Sequence, residues 1–152
     1  MPHIRTLQPD DYKHLLAIEA ECFDSGYSPY FIKMIPVLFG STSFIAVKGK
    51  SPQGYVAAAL EQANPRRAWI LSLAVRPKYR EQGLGQSLLR HALDALAQAG
   101  AAEVFLTVAP DNKPALALYQ NMGFSPEKHC ANYFGPGENR ILLKKNLVRE
   151  NI

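Results

Sequence analysis

The stretch LAVRPKYREQGLG, residues 73–85, gives the strongest indication of the fold in this 152-residue sequence. Its first residues complete an apolar run over 69–75, which predicts a central strand buried on both faces. Its last residues, Gly83 and Gly85, come directly before a segment with helical periodicity. A strand that passes through such a turn into a helix leaves the N–H groups of the first helical turn without partners inside the helix.

The same stretch has the chemistry of a phosphate-binding site. A helix N-terminus attracts anions through its N–H groups and its dipole, and glycines remove the Cβ atoms that would block a close ligand. Arg80 adds paired donors suited to a phosphate. A purely structural turn is the alternative explanation. The stretch lacks the Gly-Lys-Ser/Thr of an ATP-hydrolysing loop, and Leu88 stands where a dinucleotide fingerprint has its third glycine.

The flanking residues predict a mixed α/β arrangement. Upstream, helices begin near Pro9 and at Ser28-Pro29, the second disturbed at Pro36, and strands at 44–47 and 55–60 form a hairpin with Pro52 in its turn. Downstream, a helix runs from Leu84 to Gly100, followed by a strand at 103–108, a helix at 113–122 and strands near 127–132 and 140–144. The strand, helix and strand in the middle predict a right-handed crossover with parallel pairing.

Length and composition favour one globular domain over 1–152. The 47% apolar and 20% charged residues are ordinary globular usage, and no apolar run approaches the roughly 18 residues of a membrane span. No secretory signal is visible, so we expect a cytoplasmic location. The net charge of +4 suits a small anionic ligand and is too dispersed to indicate nucleic acid. Cys22 and Cys130 lack metal-ligand spacing, which predicts reduced thiols and no metal, with a disulfide as the alternative.

Two motifs resemble those of the GCN5-related N-acetyltransferases, the GNAT family. The first, similar to the acetyl-CoA signature of that family, is Leu73-Ala74-Val75-x-Pro77-x-x-Arg80-x-x-Gly83-x-Gly85. The second is Asn112-x-x-Ala115-x-x-Leu118-Tyr119-x-x-x-Gly123-Phe124. The resemblance covers about residues 44–147. Within the family, Leu106-x-Val108-x-x-x-Asn112 and Asn132-Tyr133-Phe134 resemble the RimI-like ribosomal-protein and other protein N-terminal acetyltransferases.

This resemblance implies both a fold and a coenzyme site. The implied fold is a mixed, mostly antiparallel twisted sheet of six to seven strands, with helices on both faces and a V-shaped splay between two central parallel strands. The implied co-substrate is acetyl-CoA, with its pantetheine arm on the main chain of the third predicted strand and its pyrophosphate on the amides of the glycine turn. The implied coenzyme-binding residues are Leu73, Ala74, Val75, Arg80, Glu81, Gln82, Gly83, Leu84, Gly85, Gln86, Asn112, Ala115 and Tyr119.

The sequence indicates a candidate catalytic acid but no clear catalytic base. The resemblance implies that Tyr119 donates a proton to the departing thiolate, whereas the plain alternative is a packing tyrosine. Related enzymes often carry their general base at positions occupied here by Thr107 and Trp69, neither of which can accept a proton at neutral pH. Glu61, at the end of the second hairpin strand, is a candidate base or else a solvated strand end. Tyr133 is expected to line the acceptor pocket, or to anchor its loop.

The function implied is direct acetyl transfer from acetyl-CoA to a primary amine in a ternary complex. An α-amine with a pKa of about 7.8 is neutral about a third of the time at pH 7.5, whereas a lysine amine is neutral about once in a thousand. A site without a strong base is therefore better matched to a peptide N-terminus or another small amine of low pKa. A coenzyme A-binding sensor without turnover is the alternative. Family members often dimerise, which leaves a homodimer open.

Overall fold

A computed structural model describes residues 2–24 and 26–147 of the chain. In this part, seven strands and four α-helices follow one another as β1 His3–Thr6, α1 Tyr12–Cys22, α2 Pro29–Phe39, β2 Phe44–Lys48, β3 Ser51–Leu60, β4 Arg67–Val75, α3 Leu84–Gln98, β5 Glu103–Val108, α4 Lys113–Asn121, β6 Ser125–Cys130 and β7 Arg140–Asn146. The strand order is β1-β2-β3-β4-β5-β7-β6. β4 and β5 pair in parallel, whereas β2 with β1 and β3, and β7 with β5 and β6, pair antiparallel. The predicted mixed, mostly antiparallel sheet is confirmed.

The chain divides into two compact units. The first unit comprises Met1–Ala59 and Ile70–Ala99, and the second comprises Leu60–Trp69 and Gly100–Ile152. Residues 1, 25 and 148–152 of the predicted domain lie outside the described residues. The single domain and the V-shaped splay of the central strands stay predictions.

In the first unit, apolar stripes on the helices form the core. α1 contributes Leu15 and Ile18, and α2 contributes Ile32 and Ile35, all of which are fully or almost fully buried. α2 begins as predicted, because the Ser28 hydroxyl accepts a hydrogen bond from the Phe31 N–H. α3 buries one face at helical spacing, formed by Leu84, Leu88, Leu89, Ala92, Leu93 and Leu96.

In the second unit, β5 lies between β4 and β7. Arg67, Ala68 and Trp69 of β4 pair in parallel with Glu103–Phe105, and the Trp69 ring packs on Phe105 with ring centroids 5.3 Å apart. α4 begins at the predicted residue, since the Asn112 side chain caps it by accepting a hydrogen bond from the Ala115 N–H. The predicted parallel pairing of these two strands is therefore confirmed, whereas the right-handed path of the crossover stays a prediction.

Four expectations about the elements were wrong or incomplete. β1 was not predicted, because its sequence His-Ile-Arg-Thr has only one aliphatic residue. β3 begins at Ser51 rather than 55, and Pro52 is accommodated where the β2–β3 register shifts after Ala46. α2 continues through Pro36 to Phe39. β4 alternates between buried and half-buried residues instead of being buried on both faces.

The β2–β3 hairpin generates a stability prediction at Gly54. A Cβ on this residue would lie 2.7 Å from the Ala74 carbonyl oxygen and 3.2 Å from the Val75 Cα, both of which are backbone atoms. Gly54→Ala should therefore lower the free energy of unfolding by about 2–3 kcal/mol. At Gly49 a Cβ meets nothing within 4 Å, so Gly49→Ala should cost only the left-handed strain of about 1 kcal/mol. Equal losses in urea denaturation would contradict the steric explanation.

Candidate functional site

In the first unit, the C-terminal half of β4 holds the residues predicted to bind pantetheine, Leu73, Ala74 and Val75. The Val75 carbonyl accepts hydrogen bonds from the Cys22 thiol (3.4 Å) and from Arg80 Nε (2.8 Å). These contacts tie the end of α1 and the loop before α3 to the same point of the strand.

The loop before α3 has the geometry of an anion cradle. Gly83 caps α3 with a φ of 78°, in the left-handed region, and a Cβ there would meet nothing within 4 Å. Glu81 is left-handed as well, with a φ of 64°, although it has a side chain. The first turn of α3 therefore begins at an exposed left-handed glycine, and its amides lie at the positive end of a 15-residue helix. The arrangement fits a pyrophosphate.

The predicted cradle residues are mostly solvent-exposed. Arg80, Glu81, Gln82, Gly83 and Gln86 are exposed, Gly85 is half-buried and Leu84 is buried as the first apolar residue of α3. Arg80 donates its Nε–H to the Val75 carbonyl, so the predicted phosphate contact of this side chain would have to come from its two terminal nitrogens.

Cys22 is a hydrogen-bond donor in this unit. Burial raises the pKa of its thiol, although nearby Arg80 acts in the opposite direction. A neutral thiol is a poor nucleophile, which agrees with direct transfer rather than an acetyl-cysteine intermediate. Cys22 and Cys130 are both unpaired thiols.

A buried polar cluster in the first unit was missed in the sequence. Glu19 of α1 is only 5% exposed, and its Oε1 accepts hydrogen bonds from the hydroxyls of Tyr55 on β3 and Ser72 on β4. Burial raises the pKa of the Glu19 carboxyl, while the Tyr55 hydrogen bond acts against this shift. The sequence feature that could have indicated its burial is its position four residues after Leu15, on the apolar stripe of α1.

In the second unit, α4 carries the predicted acid. Tyr119 is 8% exposed and packs edge-on against Phe124, with ring centroids 5.8 Å apart. Burial raises the pKa of Tyr119 to about 12. The side chain therefore stays protonated at neutral pH, as expected, but it is a weaker acid than a tyrosine of ordinary pKa. Asn112 and Ala115, predicted near the coenzyme, form the cap of the same helix.

The usual base positions hold no base here. Thr107 lies on β5 opposite Leu142, and Trp69 packs on Phe105. Glu61 forms an ion pair with Arg67, with 2.9 Å between Oε2 and Nε. Its role as base stays a prediction.

Tyr133 lies in the loop between β6 and β7 of the second unit, 43% exposed. Its ring packs edge-on against Phe134, at 4.7 Å between centroids. The loop is held by Asn132, which has a φ of 53° and whose side chain accepts a hydrogen bond from the Gly137 N–H. An exposed aromatic residue on a fixed loop agrees with acceptor binding, which stays a prediction.

Neither a candidate metal site nor a membrane-spanning helix is present in residues 2–24 and 26–147. No three His, Cys, Asp or Glu side chains in this part of the chain are grouped so that they could hold a metal ion. No helix in it has the length and apolar character needed to cross a membrane.

Comparison with known proteins identifies the family. The model of the acetyltransferase (GNAT) family matches residues 12–124. The chain belongs to the GNAT family. The match begins at α1 and ends at Phe124, so it includes both the glycine turn and Tyr119 of this GNAT protein.

Relatives of this GNAT protein include N-terminal acetyltransferases. It is 35% identical over 117 residues to human N-alpha-acetyltransferase 30, an alignment covering 76% of the chain and 31% of that relative. The chain thus spans about a third of the length of that curated relative. The Escherichia coli ribosomal-protein-S18-alanine N-acetyltransferase structure matches with a TM-score of 0.82 and 26% identity over 100% and 99% of the two chains. A structure of the NatC complex bound to Gag peptide and CoA matches with a TM-score of 0.86 and 25% identity over 97% and 99%.

The cradle is tested by Gly83→Val. The side chain would fill the open space above the first amides of α3 and strain a left-handed position, so coenzyme A binding should be lost in calorimetry while the fold remains. The matched control is Gly137→Val, since Gly137 also has a φ of 78° and open space around its Cβ. Coenzyme A affinity retained by the Gly83 variant would refute the phosphate-cradle assignment.

Proposed function

We propose that this protein is an acetyl-CoA-dependent N-acetyltransferase that acts directly on a primary amine in a ternary complex. The observation that carries the proposal is the cradle at Gly83, a left-handed helix cap beside open space within the GNAT signature. Such a cap presents backbone donors to an anion without any Cβ in the way. The thioester supplies the activated acetyl group, and this chain's residues bind and orient it.

The residues are assigned in two groups. In the first unit, the amides of Gln82–Gln86, with Arg80, bind the pyrophosphate, and the main chain of Leu73, Ala74 and Val75 binds pantetheine and polarises the thioester carbonyl. In the second unit, Asn112, Ala115 and Tyr119 belong to the helix that serves the thiol end of the coenzyme. These assignments rest on the match of the motifs to the family, residue by residue.

The proposed reaction needs two proton movements. The amine nitrogen attacks the carbonyl carbon, the C–N bond forms, the C–S bond breaks and the proton of the amine passes to water. The thiolate takes a proton from Tyr119 or accepts a hydrogen bond from it. Positioning of the two reactants supplies much of the rate, as in other reactions made effectively intramolecular.

The proposed acceptor is a peptide α-amine or a small amine of similar pKa. Thr107 and Trp69 cannot act as bases, and Glu61 is paired with Arg67. The relatives support this choice, because human N-alpha-acetyltransferase 30 is named for α-amine acetylation and the NatC structure holds a peptide and CoA. We place the protein in the cytoplasm, with acetyl-CoA and the amine as its partners. We propose neither a nucleic-acid nor a membrane partner. A homodimer is compatible with this function.

A thiol-release assay against a panel of amines tests the function. Peptides with free N-termini should release coenzyme A faster than peptides whose only amine is a lysine side chain, because their amines are more often neutral. N-terminally acetylated peptides serve as the control. Coenzyme A binding without release for any amine would overturn the enzyme assignment and indicate a binding module. Acetylation of lysine side chains alone, at an undiminished rate at pH 7, would refute the acceptor choice.

Tyr119→Phe tests the proposed acid. The substitution keeps the packing against Phe124 and removes only the hydroxyl, so turnover should fall by about 10–100-fold. This loss lies at or below the lower end of the rate contributions of positioned acids, because burial raises the pKa of Tyr119 to about 12. Coenzyme A affinity should be nearly unchanged in the same variant. Phe124→Leu is the control for packing alone. Unchanged turnover in the Tyr119→Phe protein would exclude Tyr119 as the acid.

A further inference from the structure

Arg76 lies where β4 ends and the loop before α3 begins, and it contacts two other elements of the first unit. Its Nε forms an ion pair with Glu21 in the last turn of α1. Its Nη1 donates a 3.0 Å hydrogen bond to the Pro52 carbonyl of β3, and its backbone N–H donates one of 2.9 Å to the Gln53 carbonyl. One residue therefore joins α1 and β3 to the end of β4.

The two side-chain contacts fix the direction of the Arg76 guanidinium. The Arg76 side chain is 27% exposed, and that of its partner Glu21 is 42% exposed. A guanidinium donates in several fixed directions at once, so it can bond a carboxylate on a helix and a carbonyl on a strand together. Ion pairs of this exposure typically contribute little to the free energy of unfolding. What this pair determines is geometry, because the last turn of α1 and the start of β3 share one side chain.

The chain that leaves Arg76 folds back on the same end of the sheet. The Arg76 carbonyl accepts a 2.8 Å hydrogen bond from the Tyr79 N–H, and the Tyr79 hydroxyl lies 3.0 Å from the Ser51 hydroxyl at the start of β3. Four residues after Tyr79 the chain reaches Gly83, the left-handed cap of α3. The position of this cap, and of the helix amides that follow it, therefore depends on how Arg76 starts the loop.

We propose that Arg76, held by Glu21, is a positioning residue for coenzyme A that fixes the loop before α3 in the conformation that binds the pyrophosphate. The proposal rests on the acetyl-CoA-dependent function proposed above. Arg76 acts on the coenzyme through the loop rather than by direct contact, since its Nε and Nη1 are already bonded to Glu21 and to the Pro52 carbonyl. A loop that is ordered beforehand loses less conformational entropy on binding, so the coenzyme binds more tightly.

The main test is Arg76→Gln, which removes the guanidinium that joins α1 and β3 to the loop. Coenzyme A affinity, measured by calorimetry, should fall by about tenfold or more, because the loop must then be ordered during binding. Turnover at saturating acetyl-CoA should stay within about threefold of the unchanged protein, since the loop reaches the same conformation once the coenzyme is bound. Coenzyme A affinity within about twofold of the unchanged protein would overturn the proposal.

Arg5→Gln is the matched control for the loss of an ion pair in the same unit. Arg5 donates to both carboxylate oxygens of Asp11 at 2.8 Å, and it lies on β1, which β2 and β3 separate from β4 in the sheet order. This variant should lose stability in urea denaturation and keep its coenzyme A affinity. Equal losses of affinity in the Arg5 and Arg76 variants would indicate a general effect of destabilisation and would contradict a positioning role.

Glu21→Gln tests the ion pair itself, and it provides a second variant should Arg76→Gln fail to fold. The loss of affinity should be smaller, about threefold, because the pair is partly exposed and Arg76 keeps its bond to the Pro52 carbonyl. The double variant should bind coenzyme A no more weakly than Arg76→Gln alone, since Glu21 acts through Arg76. Unchanged affinity in Glu21→Gln, or losses that multiply in the double variant, would overturn the proposed coupling.

Hydrogen exchange without coenzyme separates this proposal from the proposed function. The N–H groups of residues 76 and 79 are bonded to the Gln53 and Arg76 carbonyls, and both should exchange about tenfold faster in Arg76→Gln. Unchanged exchange would overturn the positioning role even in an active enzyme. If the unchanged protein binds no coenzyme A, the proposed function fails, and faster exchange then supports Arg76 as an anchor of the loop alone.

Discussion

Backbone carbonyl groups of β4, at Leu71 and Val75, hold several segments of the first unit in place by hydrogen bonds. The Val75 carbonyl receives Cys22 from the last turn of α1 and Arg80 from the loop before α3, and the Leu71 carbonyl receives Tyr27. A strand whose carbonyls are used in this way holds the end of α1, the segment before α2 and the loop before α3 against one element. Gly54 lets the β3 backbone approach this strand closely, because a Cβ there would lie 2.7 Å from the Ala74 carbonyl oxygen.

The Glu19 cluster places an ionisable side chain in the buried core of the first unit. Because burial raises the pKa of Glu19 above its unfolded value, the protonated carboxyl favours the fold at low pH, and this contribution is lost as the pH rises through the folded pKa. At neutral pH the fold therefore tolerates a carboxyl whose ionised form is disfavoured by its surroundings. A Leu or Met on the stripe of Leu15 and Ile18 would cost nothing of this kind. The carboxylate in that place gives the buried hydroxyls of Tyr55 and Ser72 a hydrogen-bond acceptor, which an apolar side chain would not.

The order of most elements and the glycine turn before α3 could be predicted because both depend on local patterns. The spacing of Leu84, Leu88 and Leu89 defines α3, and Gly83 marks its left-handed start. Glu19 could not be assigned in this way, since its partners Tyr55 and Ser72 are 36 and 53 residues away in the chain. β1 could not be predicted for a related reason. It is a strand chiefly because it pairs with the edge of β2, and its own sequence shows almost no alternation of apolar and polar residues.

Burial raises the pKa of Tyr119 and of Glu19, with opposite chemical consequences. For Tyr119 the pKa of about 12 lies well above that of a thiol, about 8.5, so full proton transfer to the thiolate is uphill and a hydrogen bond to sulfur is the larger part of what the hydroxyl offers. For a carboxyl the same change strengthens the base. Since a thiolate is already a competent leaving group, the more demanding proton movement is the one from the amine. Neither Thr107 on β5 nor Trp69 on β4 carries a group that could accept that proton at neutral pH.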